Sequence, residues 1–191
     1  MAPDCTPFER QLIEGCRQGS PQYQEMFYKH FYGFTMAIAL RYHPARQEAG
    51  SVVNDSFMKV FARIDRYAFE ETFKGWLRRI VVNTALDHYR KHVKHTQTVE
   101  YDQADSQSVE VENAVISQLT AEDILTLLQH LPDQYRMVFN LYEIEGYSHE
   151  EIAGQLNLSV SSSRVYLVRA KEKLARLVKS YFPNHNERFY S

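Results

Sequence analysis

The chain has 191 residues, 44% of them apolar, with only 7 glycines and 6 prolines, which allows one medium domain or two small ones and argues against a sheet protein. Its formal charge of −2, taken alone, argues against a nucleic-acid partner, because phosphate-binding domains usually carry a positive excess. Cys5 and Cys16 are too few for a disulfide framework or a zinc site and read as free thiols; the most apolar run, "FTMAIAL", is far too short to cross a bilayer. The expectation is a soluble, cytoplasmic protein.

In "TPFERQLIEGCRQG", Thr6 is placed to cap a short helix, Pro7 suits its first position, and Gly19 with Pro21 would end it. A second helix is predicted from about Pro21 to Tyr42, with Tyr23, Phe27, Phe31, Phe34, Ile38 and Tyr42 at spacings of three and four. The third, Glu48 to Ile64, carries Val52, Val53, Phe57, Val60, Phe61 and Ile64. The fourth, Glu71 to about Lys94, carries Phe73, Trp76, Leu77, Ile80, Val81, Thr84 and Leu86. One-sided apolar stripes of this kind pack as a bundle, and aromatics at helical spacing are more often core than surface. The connection "DRYAFEETFKG" leaves two readings open for Tyr67 and Phe69, packing or stacking on an unpaired base, because it runs straight into Lys74, Arg78 and Arg79.

The stretch "HTQTVEYDQADSQSVEVEN" is polar and acidic without helical periodicity and reads as an extended linker, with a helix resuming near Val115. It separates two basic windows. Thr72 to His95 holds six Lys/Arg against Asp87, and Ser159 to Ser180 holds six against Glu172, whereas Thr96 to His130 has no Lys or Arg and seven Asp/Glu. The near-neutral total therefore hides two basic surfaces joined by an acidic strap.

Beyond the linker, Pro132 opens a helix that Gly146 ends, and Ser148 with Glu151 forms a capping box ahead of Ile152, Ala153 and Leu156. Asn157 suits a left-handed turn and Ser159 caps a longer basic helix. Short helix, tight turn and longer basic helix is the helix-turn-helix layout, whose second helix enters the DNA major groove. Small hydroxyls at Ser161, Ser162 and Ser163 permit close approach to phosphate; the competing reading is that they only face solvent. For an enzyme there is little support. His88, His92 and His95 have metal-ligand spacing, but Arg90, Lys91 and Lys94 among them would repel a cation, and no nucleophile–base pair or phosphate loop stands out; no cofactor or metal is expected.

"LPDQYRMVFNLYEIEGYSHEEIAGQLNLSVSSSRVYLVRAKEKL" resembles the C-terminal domain of the sigma-70 family of bacterial RNA polymerase initiation factors, and "VVNDSFMKVFARIDRYAFEETFKGWLRRIVVNTALDHYRKH" is similar to that family's core-binding and promoter-melting domain. With two domains and a short linker, the chain resembles the extracytoplasmic-function (ECF) group. The resemblance implies an all-α chain: region 2 over 1–95, an acidic linker over 96–114, region 4 over 115–182 and a tail over 183–191. It implies contact of Asn54, Asp55, Phe57, Met58 and Phe61 with the clamp helices of the largest polymerase subunit. It also implies a minus 10 surface of Tyr67, Phe69, Phe73, Lys74, Arg79 and Asn83, and a minus 35 surface of Ser161, Ser162, Ser163, Arg164, Val165, Val168 and Arg169. The implied partners are core RNA polymerase, including the flap for the second domain, promoter DNA and an inhibitory anti-sigma factor; a helix-turn-helix regulator without melting activity is the alternative. Members often carry an acidic pair where this chain has Gly50 and Ser51, and a basic residue where it has Tyr166.

Overall fold

A computed structural model describes residues 5–68, 71–95 and 120–181, and every regular element among them is helical. The linker, the restart near Val115, Phe69 and the tail from 183 lie outside the described residues. The chain divides into two compact units, 1–95 and 96–191, each treated by itself.

The first unit comprises α1 (Pro7–Arg17), α2 (Pro21–Tyr42), α3 (Arg46–Arg63), a short 3-10 turn (Ile64–Arg66) and α4 (Phe73–His95). Thr6 and Glu9 start α1 by a reciprocal box: the Glu9 N–H donates to Thr6 Oγ1 at 3.1 Å and the Thr6 N–H to Glu9 Oε2 at 2.9 Å. Gly15 lets α1 lie directly against the Tyr23 ring of α2, where any Cβ would collide. Residue 73 rather than 71 begins α4 because Thr72 caps it, accepting from Gly75 N–H at 3.1 Å.

The four apolar stripes meet in a core that includes Leu12, Ile13, Phe31, Ile38, Val53, Phe57, Leu77 and Val81. At one end of it Phe73 sits among aromatic rings, with centroids 5.1 Å from Tyr67, 5.2 Å from Phe31, and 5.6 Å from both Phe27 and Trp76. Cys16 lies inside as well. Burial pushes its thiol up to about 11, so it is protonated and packs as a small apolar group.

The second unit comprises α5 (Ala121–Gln129), α6 (Asp133–Phe139), one π turn (Asn140–Ile144), α7 (His149–Leu156) and α8 (Val160–Tyr181). Pro132 is the residue before α6 rather than within its first turn. Buried Arg136 ties that entry together, donating to the Leu131 carbonyl at 2.9 Å and to Asp133 Oδ1 at 2.6 Å. Sequence periodicity predicts one continuous helix to Gly146. Instead the register widens after Phe139, where buried Asn140 donates its amide to the Arg136 carbonyl and the Glu145 N–H reaches back five residues to Asn140. Gly146 at φ +78° and Asn157 at φ 56° supply the two left-handed corners, and the Ser148–Glu151 box starts α7. Leu128, Leu131 and Ala170, with Tyr135, Phe139 and Leu174 against them, hold α5 and α6 onto α8. Among the described residues no helix is long and apolar enough to cross a membrane.

Candidate nucleic-acid interface

On α4, Lys74, Arg79 and Asn83 are exposed, and Arg79 and Asn83 share a face at a spacing of four. Lys74 Nζ lies 3.6 Å from Glu9 Oε1, and Arg79 pairs with Glu71. Burial pushes the Glu9 carboxyl upward, but hydrogen bonds from Thr6 and the nearby Lys74 and His30 outweigh it and hold it below the usual carboxylate range. The cationic strip is therefore anchored by acids on α1 and on the preceding loop.

Tyr67 and Phe73 are not on this strip. Both are buried, their rings in the aromatic knot, and the Tyr67 hydroxyl donates inward to the Glu71 carbonyl at 2.8 Å. The apolar knot is worth more to each ring than water contact, so in this structure both turn inward where the two ends of the loop join the bundle. Arg17 of α1 holds the loop's start by donating to the Tyr67 carbonyl and, at 3.4 Å, to the Ile64 carbonyl.

On α3, Asn54, Asp55 and Met58 point outward, with Met58 69% exposed. Phe57 is interior and Phe61 is half-buried, stacked on it at 6.1 Å, so both lie beneath the outward-facing residues of α3. Between α3 and α4 runs an open groove of about 560 Å³, lined in part by Asp55, Met58, Lys59, Asp87 and His88. His88 Nε2 is 2.8 Å from Asp55 Oδ2, and Asp87 accepts from Lys59 at 2.9 Å and from Arg90 at 2.6 Å. Partial burial raises the Asp87 carboxyl, but these two cations together hold it below its ordinary value. His88 is thus committed to a carboxylate, and among the described residues no group of three or more His, Cys, Asp or Glu could hold a metal.

The face of α8 follows a helical period. Ser161, Arg164, Val165 and Val168 fall at i, i+3, i+4 and i+7 and are exposed, with Val165 at 45% and Val168 at 55%, whereas Ser163, Leu167 and Ala170 are buried. The three serines therefore part company. Ser159 Oγ accepts from the Ser162 N–H at 3.0 Å and shares hydrogen bonds with the Ser161 and Ser162 hydroxyls at 2.8 and 2.7 Å. Ser163 turns inward and meets His149 Nδ1 of α7 at 2.9 Å, away from the exposed side that Ser161 and Arg164 share. His149 in turn stacks on Tyr142 with centroids 4.5 Å apart. Ser163→Ala should cost about 1 kcal/mol, the net worth of one buried hydrogen bond, read as a lower urea midpoint by far-UV circular dichroism. An unchanged midpoint would show that the bond adds nothing to the α7–α8 joint.

Arg164 Nη2 lies 3.8 Å from Glu150, and half-buried Arg169 donates from Nη1 to the Tyr135 hydroxyl at 3.3 Å. That hydrogen bond raises the Arg169 pKa further above an already high value, so the group is a permanent cation. Sequence reasoning missed His149 and Tyr135. Each acts across a long chain separation, and no local pattern marks either.

An N-terminal helical bundle with an exposed basic helix, followed by a helix-turn-helix unit, defines a two-module protein of the transcription-factor class. Residues 27–95 match the family model "Sigma-70 region 2" and residues 121–174 match "Sigma-70, region 4". The chain belongs to the sigma-70 family, in its ECF group. It is similar to the ECF RNA polymerase sigma-E factor of Salmonella typhimurium (25% identical over 178 residues, 88% of this chain and 93% of that protein) and to that of Escherichia coli K12 (24%, the same coverage). The sigma-E factor of Haemophilus influenzae is 24% identical over 181 residues, 90% of this chain and 95% of that one. Among solved structures, CnrH in complex with the cytosolic domain of CnrY is similar at 24% identity and a TM-score of 0.45, covering 90% of this chain and 97% of that one. The sigma factor RpoE in complex with the anti-sigma factor NepR from Bartonella quintana is similar at 23% and 0.47, covering 81% and 96%.

Proposed function

We propose that this sigma factor binds core RNA polymerase, directs it to specific promoters and helps separate the strands at the downstream (minus 10) element. The observation that carries the reading is the succession of two sigma regions in one chain, each with an exposed polar or basic helix face. On this reading residues 1–95 bind polymerase and melt the downstream element, 96–114 form the acidic connection, 115–182 read the upstream (minus 35) element and 183–191 are a tail.

Asn54, Asp55 and Met58 would meet the clamp helices of the largest subunit, with Phe57 and Phe61 supporting them from beneath. Lys74, Arg79 and Asn83 would face the downstream element, Asn83 reading a base edge. Unstacking a base costs a few kcal/mol, so the exposed strand needs cationic support of this kind, and buried Tyr67 and Phe73 anchor the two ends of the loop. Phe69 keeps its proposed place in the melting loop. Ser161, Ser162, Arg164, Val165, Val168 and Arg169 would face the upstream element, the valines favouring thymine methyl groups. The polymerase flap would hold the second unit, and an inhibitory anti-sigma factor is a further partner that the family implies. The bond-making chemistry belongs to polymerase and asks no catalysis of this chain.

The near-neutral net charge makes weak independent DNA binding the expected state. The test is transcription of genomic DNA from the source bacterium by core polymerase, with and without the full chain, followed by sequencing of RNA 5′ ends. Starts that depend on the chain and share two upstream sequence blocks are expected. A regulator without melting activity would add no such starts to core enzyme alone, and tight promoter binding in a mobility shift without polymerase would overturn the division of labour.

A further inference from the structure

Arginine is a flexible side chain, and its guanidinium carries five donors in one rigid plane. Discrimination by such a group depends on the plane being aimed before the base arrives, since a freely rotating side chain gives up rotamer entropy on binding. Arg169 is not freely rotating. Its Nη1 donates to the Tyr135 hydroxyl at 3.3 Å. The Tyr135 ring packs against the Leu128, Leu131 and Ala170 cluster and lies 5.4 Å from the Tyr166 ring at a 42° tilt. A phenol held by its ring at the edge of the core is a rigid acceptor, unlike a surface carboxylate on a mobile stem.

We propose that Tyr135, on α6 and outside the helix-turn-helix, is a positioning residue for upstream-element recognition: its hydroxyl sets the direction in which Arg169 presents its guanidinium plane to the DNA. Hydrogen bonding matters here more than charge. The phenol is neutral, so it orients the guanidinium without cancelling its attraction for phosphate or for a guanine edge. A carboxylate in the same place would do both. The Tyr135–Tyr166 contact adds a second constraint, because Tyr166 is on α8 three residues before Arg169 and shares its side of the helix.

This inference rests on the proposed reading of α8 as the upstream reader, and one experiment separates the two. Core polymerase with the full-length chain transcribes the genomic library described above, and the upstream block is extracted from the mapped starts as base preferences. A promoter with that block randomised is then used to compare wild type, Tyr135→Phe, Arg169→Ala and the double variant. Tyr135→Phe keeps the ring and removes only the oxygen, so the fold should hold. It should lower the preference at one base position by about fivefold, the effect of losing one hydrogen bond, and leave the other positions alone. Arg169→Ala should relax the same position, and the double variant should relax it no further. If wild type yields chain-dependent starts and Tyr135→Phe leaves every base preference unchanged, or weakens all positions equally, Tyr135 does not aim Arg169. If wild type yields no chain-dependent starts, the sigma-factor reading fails first and takes this one with it.

Discussion

Replacing Phe73 with alanine should unfold the first unit at a much lower urea concentration, a loss of about 3–5 kcal/mol, which is a large share of the 5–15 kcal/mol typical of a whole domain. The ring is 1% exposed and contacts Phe27, Phe31, Tyr67 and Trp76, so truncation leaves a cavity bounded by four rigid rings that cannot collapse into it. Trp76 is the chain's single tryptophan and lies 5.6 Å from Phe73, so its fluorescence reports this unit alone. Phe73→Leu fills most of the space and should cost less than half as much. The measurement also decides between two roles. A base-pocket residue would leave the midpoint in place and abolish transcription from duplex promoters while sparing a premelted one. The interior position predicts the reverse order of events, with stability lost first and every activity of the unit falling with it.

What the sequence made legible was the punctuation. Thr6, Pro7, Gly146, Ser148, Asn157 and Ser159 each act through a backbone requirement confined to a few residues, and a reader of the chain can place them without knowing the fold. The apolar stripes were legible for a similar reason, since a 3.6-residue period is a local property. The side on which a residue falls near the edge of a stripe was not. Ser161 and Ser163 are two residues apart, a rotation of about 200°, and this alone sends one hydroxyl to solvent and the other to His149. Tyr67 and Phe73 show the limit of a local pattern: a loop rich in aromatics beside basic residues looks alike whether its rings face a base or the core, and Phe27 and Phe31, which meet Phe73 at that end of the bundle, are distant in sequence. The π turn at Asn140 and the Tyr135–Arg169 bond stayed hidden for a different reason. The first depends on a buried amide competing for the Arg136 carbonyl, and the second joins residues 34 positions apart.

Ser162→Glu should move stability and activity in opposite directions. Ser162 is the third residue of α8, and its N–H donates to the Ser159 hydroxyl at 3.0 Å. A glutamate at that position completes the box that the chain already uses at Thr6–Glu9 and Ser148–Glu151, reaching back to the Ser159 N–H, and its charge complements the positive end of the helix. The second unit should therefore gain about 0.5–1 kcal/mol, seen as a higher urea midpoint by circular dichroism. The same carboxylate stands beside Ser161 and one turn before Val165, on the side of α8 proposed to meet DNA. There it repels phosphate, and transcription that depends on the upstream element should fall by on the order of tenfold while starts that need only the downstream element persist. Ser162→Gln separates the two causes, because it keeps the size and most of the cap but adds no charge. If the glutamine variant is as inactive as the glutamate, bulk rather than charge closes the approach. If Ser162→Glu is stabilised and transcribes as wild type, the serines serve only the helix that they begin, and the DNA-facing side of α8 starts later, at Arg164.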